Sequence, residues 1–201
     1  MENIKKQFQD ILNNVIAPKL KGVGFRKSGL NFHARSGEID WCVNIQKARW
    51  GYDEDTASWD FAINLGLTTS LCQELMDVSP AAFPLVSQCV LRSNLKRLAG
   101  VGGDWLTLSD VHSSEEVRKW IYENLGTVLF PIVKKIHNTD ILCAEIDSLL
   151  SSFRFPSPIQ KYAFLLSIGN VVAANELIKG FRETGCDVEL MEKINQRFKS
   201  L

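Results

Sequence analysis

The fold is decided by residues 30–67, which read LNFHARSGEIDWCVNIQKARWGYDEDTASWDFAINLGL. Apolar and polar residues alternate over 30–35, over 39–46 and again over 59–67. Turn-forming residues at 36–38 join the first two runs. Three successive segments of period two with short connections predict an antiparallel meander with one buried face.

Helical periodicity appears on both sides of this meander. Apolar residues recur every three or four positions over 4–16, and Pro18 predicts the end of that helix, because proline breaks the hydrogen-bond ladder. After the third strand the pattern predicts helices over 70–77 and 82–98 and a fourth strand over 104–108. Helices are also expected over most of the remaining chain.

The predicted fold class is α+β, with an N-terminal helix, an antiparallel sheet of three to four strands, helices packed on one face and a C-terminal helical hairpin extension. The proline-containing segment at 153–158 is the clearest internal boundary. We therefore predict an α+β domain over 1–152 and a helical extension over 153–201 that packs on the same body.

Composition is that of an ordinary globular protein. The chain has 201 residues, is 45% hydrophobic and 23% charged, and carries a formal net charge of +0. The zero net charge gives no electrostatic reason to expect nucleic acid as a partner. The N-terminus lacks the apolar stretch of a secretory signal, and no apolar run approaches the ~20 residues that span a bilayer. The predicted location is cytoplasmic, with no membrane partner; the oligomeric state stays open.

Charge is distributed unevenly along the chain. Residues 51–91 contain no Lys or Arg but six acidic residues. The loop before the third strand combines aromatic and acidic side chains, which are typical of protein interfaces and would attract a basic partner. An ordinary solvated hairpin loop is the alternative. The candidate binding residues of this loop are Trp50, Tyr52, Asp53, Glu54, Asp55 and Asp60.

The polar face of the predicted sheet is the second candidate surface. Asn and Asp are poor strand formers, so several of them on one face need a reason. One reason is a surface that recognises a partner through hydrogen bonds; the other is an ordinary solvated sheet face. The candidate residues on this face, with Asp40 between them, are His33, Arg35, Asn44, Gln46 and Asn64.

Motifs for cofactors, metals and nucleophiles are weak. The glycines at 100–103 lack the spacing of a phosphate loop, and residues 53–55 lack the alternation of a calcium loop. The histidines and the five scattered cysteines form no close ligand pair, so no cofactor and no metal is predicted. A hydrolase-like His/Cys or His/Asp site assembled in space is left open.

The N-terminal two-thirds of the chain resembles an uncharacterised bacterial family, the domain of unknown function DUF4304. This family implies the same α+β layout and supplies no agreed activity and no catalytic residues. Some of its members look like immunity proteins encoded beside toxins, which implies an antitoxin role here. The residues that carry the resemblance are Gly24–Lys27, Asn31-Phe32, Val43–Lys47, Phe61–Gly66, Arg92, Arg97 and Trp105.

The expected function is therefore a non-enzymatic protein-binding protein. The sharper expectation is an immunity protein that neutralises a basic toxin domain through the acidic and aromatic loop and the adjacent sheet face. The rival expectation is an enzyme with a spatially assembled His/Cys or His/Asp site.

Overall fold

The computed structural model describes residues 2–53, 58–79, 82–109, 111–185 and 188–201; at 2, 49–53 and 111–112 it describes the backbone only. The described residues form one antiparallel sheet with helices around it, as the sequence predicts. Within these residues, no helix has the length and apolar character to cross a membrane.

Six strands form the sheet in the described part of the chain, in the order β1-β2-β3-β4-β5, with β6 paired to the beginning of β4. All pairs are antiparallel, and β1 to β4 form a simple meander. The strands are β1 (Arg26–Ser28), β2 (Asn31–Ser36), β3 (Ile39–Asp53), β4 (Ser58–Thr69), β5 (Leu91–Asn94) and β6 (Leu106–Leu108).

The sheet is larger than the three to four strands expected, because β1 and β5 are too short to show alternation in the sequence. The predicted helix over 82–98 is wrong. This region holds a 3₁₀ turn (Val86–Gln88), then β5, then a single helical turn that starts after Asn94. Its leucines are spaced as in a helix, but Leu91 is buried by pairing with β4.

The α-helices lie before β1, directly after β4 and β5, and over the chain that follows β6. They are α1 (Glu2–Ile11), α2 (Ala17–Gly22), α3 (Ser70–Leu75), α4 (Leu95–Leu98), α5 (Val111–Asn124), α6 (Phe130–Lys135), α7 (Thr139–Leu150), α8 (Pro158–Ser167), α9 (Val171–Glu183) and α10 (Glu189–Ser200).

Pro18 does not end the first helix. A π-helical turn (Leu12–Ile16) connects α1 to α2, and Pro18 lies in the first turn of α2. The Ala17 N–H bonds to the Leu12 carbonyl, so the ladder is already shifted by one residue before the proline. A second π-helical turn (Leu125–Leu129) precedes Pro131, which lies in the first turn of α6.

The core lies on the face of the sheet that carries Trp41 and Phe61. Phe8 of α1 packs edge-on against Phe61, with ring centroids 5.2 Å apart. Trp41 packs against Phe153 at 6.4 Å, so the segment after α7 also belongs to this core. Its backbone pairs with β5 through two hydrogen bonds between Arg92 and Arg154.

The C-terminal helices pack on α3 and β4. Residues 162–167 of α8 are all buried. Thr69 at the end of β4 donates a hydrogen bond of 2.9 Å to the Ser167 hydroxyl, and Arg197 of α10 donates one of 2.9 Å to the Leu75 carbonyl. The division of the chain at residue 152 stays a prediction.

Candidate functional site

Four asparagines form a continuous row across the polar face of the sheet. Asn31 of β2 lies opposite Asn44 of β3, Asn44 opposite Asn64 of β4, and Asn64 opposite Asn94 of β5. We call these four residues the asparagine row. Neighbouring strands are about 4.8 Å apart, so the row extends about 14 Å across the sheet.

The side chains of the row are held by hydrogen bonds to one another and to their neighbours. Asn44 Nδ2 donates to Asn31 Oδ1 at 2.8 Å, and Asn64 Nδ2 donates to Gln46 Oε1 at 2.7 Å. Each amide has two N–H donors and an oxygen with two lone pairs, so one bond leaves further capacity. The row therefore presents oriented donors and acceptors.

Three residues of the asparagine row, Asn31, Asn44 and Asn64, form the floor of an open groove, and Asn94 lines the hollow beside it. The groove has a volume of about 510 Å³, and Leu85, Val86 and Ser87 form one wall. It continues into a second hollow of about 300 Å³, and Asn64, Arg92 and Ser93 line both. We call the two hollows together the amide groove.

One end of the amide groove is rich in arginine. Arg92, Arg97 and Arg154 line it, and we call these three residues the arginine end. Arg97 Nη2 lies 3.3 Å from the carboxylate of Asp104, which also accepts a hydrogen bond from Asn94 Nδ2. Three guanidinium groups and one carboxylate give this end a net positive charge.

Beside the groove, the same sheet face is closed and carries a buried ionic cluster. Asp40 is 0% exposed and accepts a hydrogen bond of 2.7 Å from His33 Nε2. Arg35 binds the same carboxylate through Nε at 2.9 Å and Nη2 at 2.7 Å. The Asp40 carboxylate raises the pKa of Arg35, first through these hydrogen bonds and then through charge attraction.

Residues 82–90 cover this closed half of the sheet face, and we call them the covering segment. The Phe83 ring lies 5.4 Å from the His33 ring, and Cys42 Sγ donates to the Pro84 carbonyl at 3.1 Å. Cys89 packs directly on Gly66, where no side chain larger than hydrogen fits. His33 is only 2% exposed as a result.

Cys89 of the covering segment and Cys72 of α3 are both buried thiols. A hydrogen bond with Cys42 raises the pKa of Cys89 well above its ordinary value, and burial acts in the same direction. Burial also raises the pKa of Cys72 to about 12. Both thiols are neutral near pH 7, and the thiolate is the nucleophilic form. The described residues contain no group of three or more His, Cys, Asp or Glu placed to hold a metal ion.

The structure brings together only part of the predicted site. Asn44, Gln46 and Asn64 line one groove, whereas His33 and Arg35 belong to the buried cluster around Asp40. Asp60 lies near the start of β4, away from the groove, and accepts a hydrogen bond of 2.6 Å from Thr107 of β6. Glu54 and Asp55 lie outside the described residues, as do the side chains of Trp50, Tyr52 and Asp53.

Five residues of the asparagine row and the arginine end were not predicted as site residues, namely Asn31, Asn94, Arg92, Arg97 and Arg154. Asn31 could have been predicted, since it occupies a polar position in the first alternating run. Arg92, Asn94 and Arg97 lie in the region that the sequence predicts to be a helix. The family resemblance nevertheless includes Arg92 and Arg97. Arg154 carries no local signal, because only the pairing of its backbone with β5 brings it to the groove.

Comparison with curated proteins and with solved structures gives no match. A family model described as a domain of unknown function matches residues 16–135, which is more than half of the chain. The match includes the whole asparagine row and two residues of the arginine end. On this evidence the chain belongs to the DUF4304 family.

Proposed function

We propose that this chain is a non-enzymatic protein-binding protein and that the amide groove receives its partner. The observation that carries the proposal is the asparagine row, which lies in register across four strands in an open groove. Side-chain amides both donate and accept hydrogen bonds, as the peptide groups of a bound chain do. Asparagine is also a poor strand former, so the three that do not cap a helix, Asn31, Asn44 and Asn64, favour a binding role over a sheet-forming one.

The chemistry of the groove supports binding over catalysis. Its floor is made of amides, which do not ionise near neutral pH and are therefore poor general acids and bases. Asp104, the carboxylate that lines the arginine end, is paired with Arg97 and Asn94. His33 and Asp40 lie under the covering segment and are 2% and 0% exposed. A substrate in the groove would have no direct access to them.

Affinity purification from a native lysate of the source cells tests this proposal. Wild-type chain should retain one stoichiometric protein, and a chain carrying Gln46→Ala with Asn64→Ala should lose it. Gln196→Ala changes an exposed amide on α10 and serves as the matched control. Retention of the partner by the groove variant would contradict the proposal, and so would the absence of any specific partner at low and moderate salt.

The sharper version of this function is that of a cytoplasmic bacterial immunity protein that masks a toxin. The family resemblance supports it, and so does the acidic sequence at Asp53, Glu54 and Asp55, which would attract a basic toxin domain. Changing these three residues to Lys should weaken the binding of such a toxin and reduce its dependence on salt. Unchanged affinity would remove this segment from the binding surface.

An enzyme with a buried site is the second candidate, and one observation favours it. His33 is hydrogen-bonded to Asp40 and lies opposite Cys42 in the neighbouring strand, which is the kind of His/Cys or His/Asp assembly left open by the sequence. Titration of His33 by NMR separates the two candidates. A pKa far from its ordinary range, together with labelling of Cys42 by a small thiol reagent, would favour the enzyme.

A further inference from the structure

We propose that the arginine end binds carboxylates, so that the amide groove takes an extended acidic segment of a partner polypeptide. This inference rests on the proposed function and specifies the chemistry of the partner. It concerns Arg92, Arg97 and Arg154, to which the sequence assigns no role in binding.

The arginine end has unused binding capacity. The Arg154 side chain is exposed, and its guanidinium forms no hydrogen bond or ion pair with any residue that the structure describes. The backbone of Arg154 is nevertheless fixed, because its N–H donates to the Arg92 carbonyl at 2.8 Å and its carbonyl accepts a hydrogen bond of 2.9 Å from the Arg92 N–H. A guanidinium on a fixed backbone beside a polar hollow is placed to bind an incoming anion.

The other two arginines are held in fixed positions. Arg92 Nε donates to the Cys89 carbonyl at 2.7 Å, and its Nη2 donates to the Ser87 carbonyl. Carbonyl groups do not neutralise its charge. Arg97 and Asn94 both contact Asp104, and the lining of this end contains three guanidinium groups and one carboxylate. Arginine pairs with carboxylates through two parallel hydrogen bonds, which makes such a cluster selective for acidic groups.

The asparagine row determines the form of the ligand. The row extends about 14 Å, which matches about four residues of extended chain at ~3.3 Å per residue. Peptide groups along such a segment would pair with the amides, while an acidic side chain would reach the arginine end. Charge complementarity therefore selects an acidic polypeptide segment.

NMR titration of the full-length, ¹⁵N-labelled chain tests this inference. The probes are a blocked peptide of Gly, Asp and Glu, its isostere with Asn and Gln in place of the acids, and inorganic phosphate. The acidic peptide should shift the side-chain amide signals of Asn31, Asn44 and Asn64. It should bind about tenfold more tightly than the isostere, as expected for the loss of a charge-assisted hydrogen bond.

Variants locate the effect. Arg154→Gln should weaken binding of the acidic peptide about tenfold and leave the isostere unaffected. Lys134→Gln removes an exposed positive charge on α6, outside the groove, and should change neither. The guanidinium of Arg154 has no partner among the described residues. The spectrum of the unliganded Arg154→Gln variant should therefore match that of the wild type, and this match would confirm an intact fold.

The remaining outcomes overturn the inference in distinguishable ways. Equal binding of both peptides in the groove would leave protein binding standing and remove the acidic selectivity. Saturation by phosphate at the arginine end without any response to the peptide would assign it to a small anion. Shifts of the same signals with protein concentration alone would assign the groove to a second copy of this chain. Failure of the lysate experiment contradicts the proposed function whatever the peptides show.

Discussion

At the scale of single residues, the amides of the polar face differ in how much they contribute to the fold. Asn94 is the N-cap of α4, because its Oδ1 accepts a hydrogen bond of 2.8 Å from the Arg97 N–H, and it is buried. Gln46 is exposed and bonds to Asn64 alone among the described residues. Asn94 therefore has a structural reason to be polar, and Gln46 does not.

This difference predicts unequal losses of stability. Asn94→Ala should lower the free energy of unfolding by about 1 kcal/mol through the lost cap. Gln46→Ala should change it by less than about 0.5 kcal/mol, as surface substitutions usually do. Urea unfolding of the two variants measures both values. A large loss in the Gln46 variant would mean that this amide is structural, which would weaken the case for a binding surface.

Substitution of Asp40 should lower the stability by more, because its buried carboxylate binds two partners. Asp40→Asn removes the charge that holds His33 and Arg35, and should lower the free energy of unfolding by about 2 to 3 kcal/mol. Asp147→Asn, at an exposed position on α7, is the control and should stay within about 0.5 kcal/mol of the wild type. If the two variants were equally stable, the ionic cluster would not be a structural element.

Cys72 predicts a dependence of stability on pH. Its pKa is about 12 in the folded chain and 9.0 as the ordinary value, so the unfolded chain loses the thiol proton first. The contribution of Cys72 is therefore fully present below pH 9.0 and is lost as the pH rises toward 12. Denaturant unfolding of wild type and Cys72→Ala should show a difference in stability that shrinks between pH 8 and pH 11. A constant difference would contradict the burial of this thiol.

At the scale of elements, the covering segment closes half of the sheet face through its contact with β4. A Cβ at Gly66 would lie 2.7 Å from both Cβ and Sγ of Cys89 and 3.3 Å from Val86 Cα. The groove wall formed by Val86 depends on the same contact. Glycine at position 66 therefore sets the boundary between the closed half and the open groove.

Gly66→Ala should lower the free energy of unfolding by about 1 to 3 kcal/mol, since an overpacked contact forces the segment away from β4. Cys89→Gly removes both clashing atoms. In the Cys89→Gly variant, Gly66→Ala should therefore lower the free energy of unfolding much less. A double-mutant cycle with denaturant unfolding measures this coupling. Additive losses would show that Cys89 is not what limits the space at position 66.

The sequence predicts long elements better than short ones. Strands β2, β3 and β4 and their shared polar face follow from alternation over six or more residues. Strand β5 has four residues, and its leucine spacing also fits a helix, so local pattern could not identify it. The first helix continues past Pro18 because a π-helical turn precedes it, and no residue pattern indicates that turn.

At the scale of the whole molecule, the candidate site depends on contacts between distant parts of the chain. The sequence predicts that Asn44 and Asn64 share a face, because both lie in long strands of one hairpin. It does not predict the arginine end, which needs β5 beside β4 and the segment around Arg154 beside β5. A net charge of +0 also conceals local charge, since a segment rich in acids and a cluster of arginines cancel in the total.

The most direct test of the central claim is site-specific photo-crosslinking in the source cells. A benzophenone amino acid at position 46 places the reactive group in the amide groove, and the same residue at position 196 places it on α10. We expect position 46 to yield one discrete adduct with a second protein, and position 196 to yield none. The absence of an adduct at position 46, or the same adduct at both positions, would contradict the assignment of the groove as a protein-binding surface.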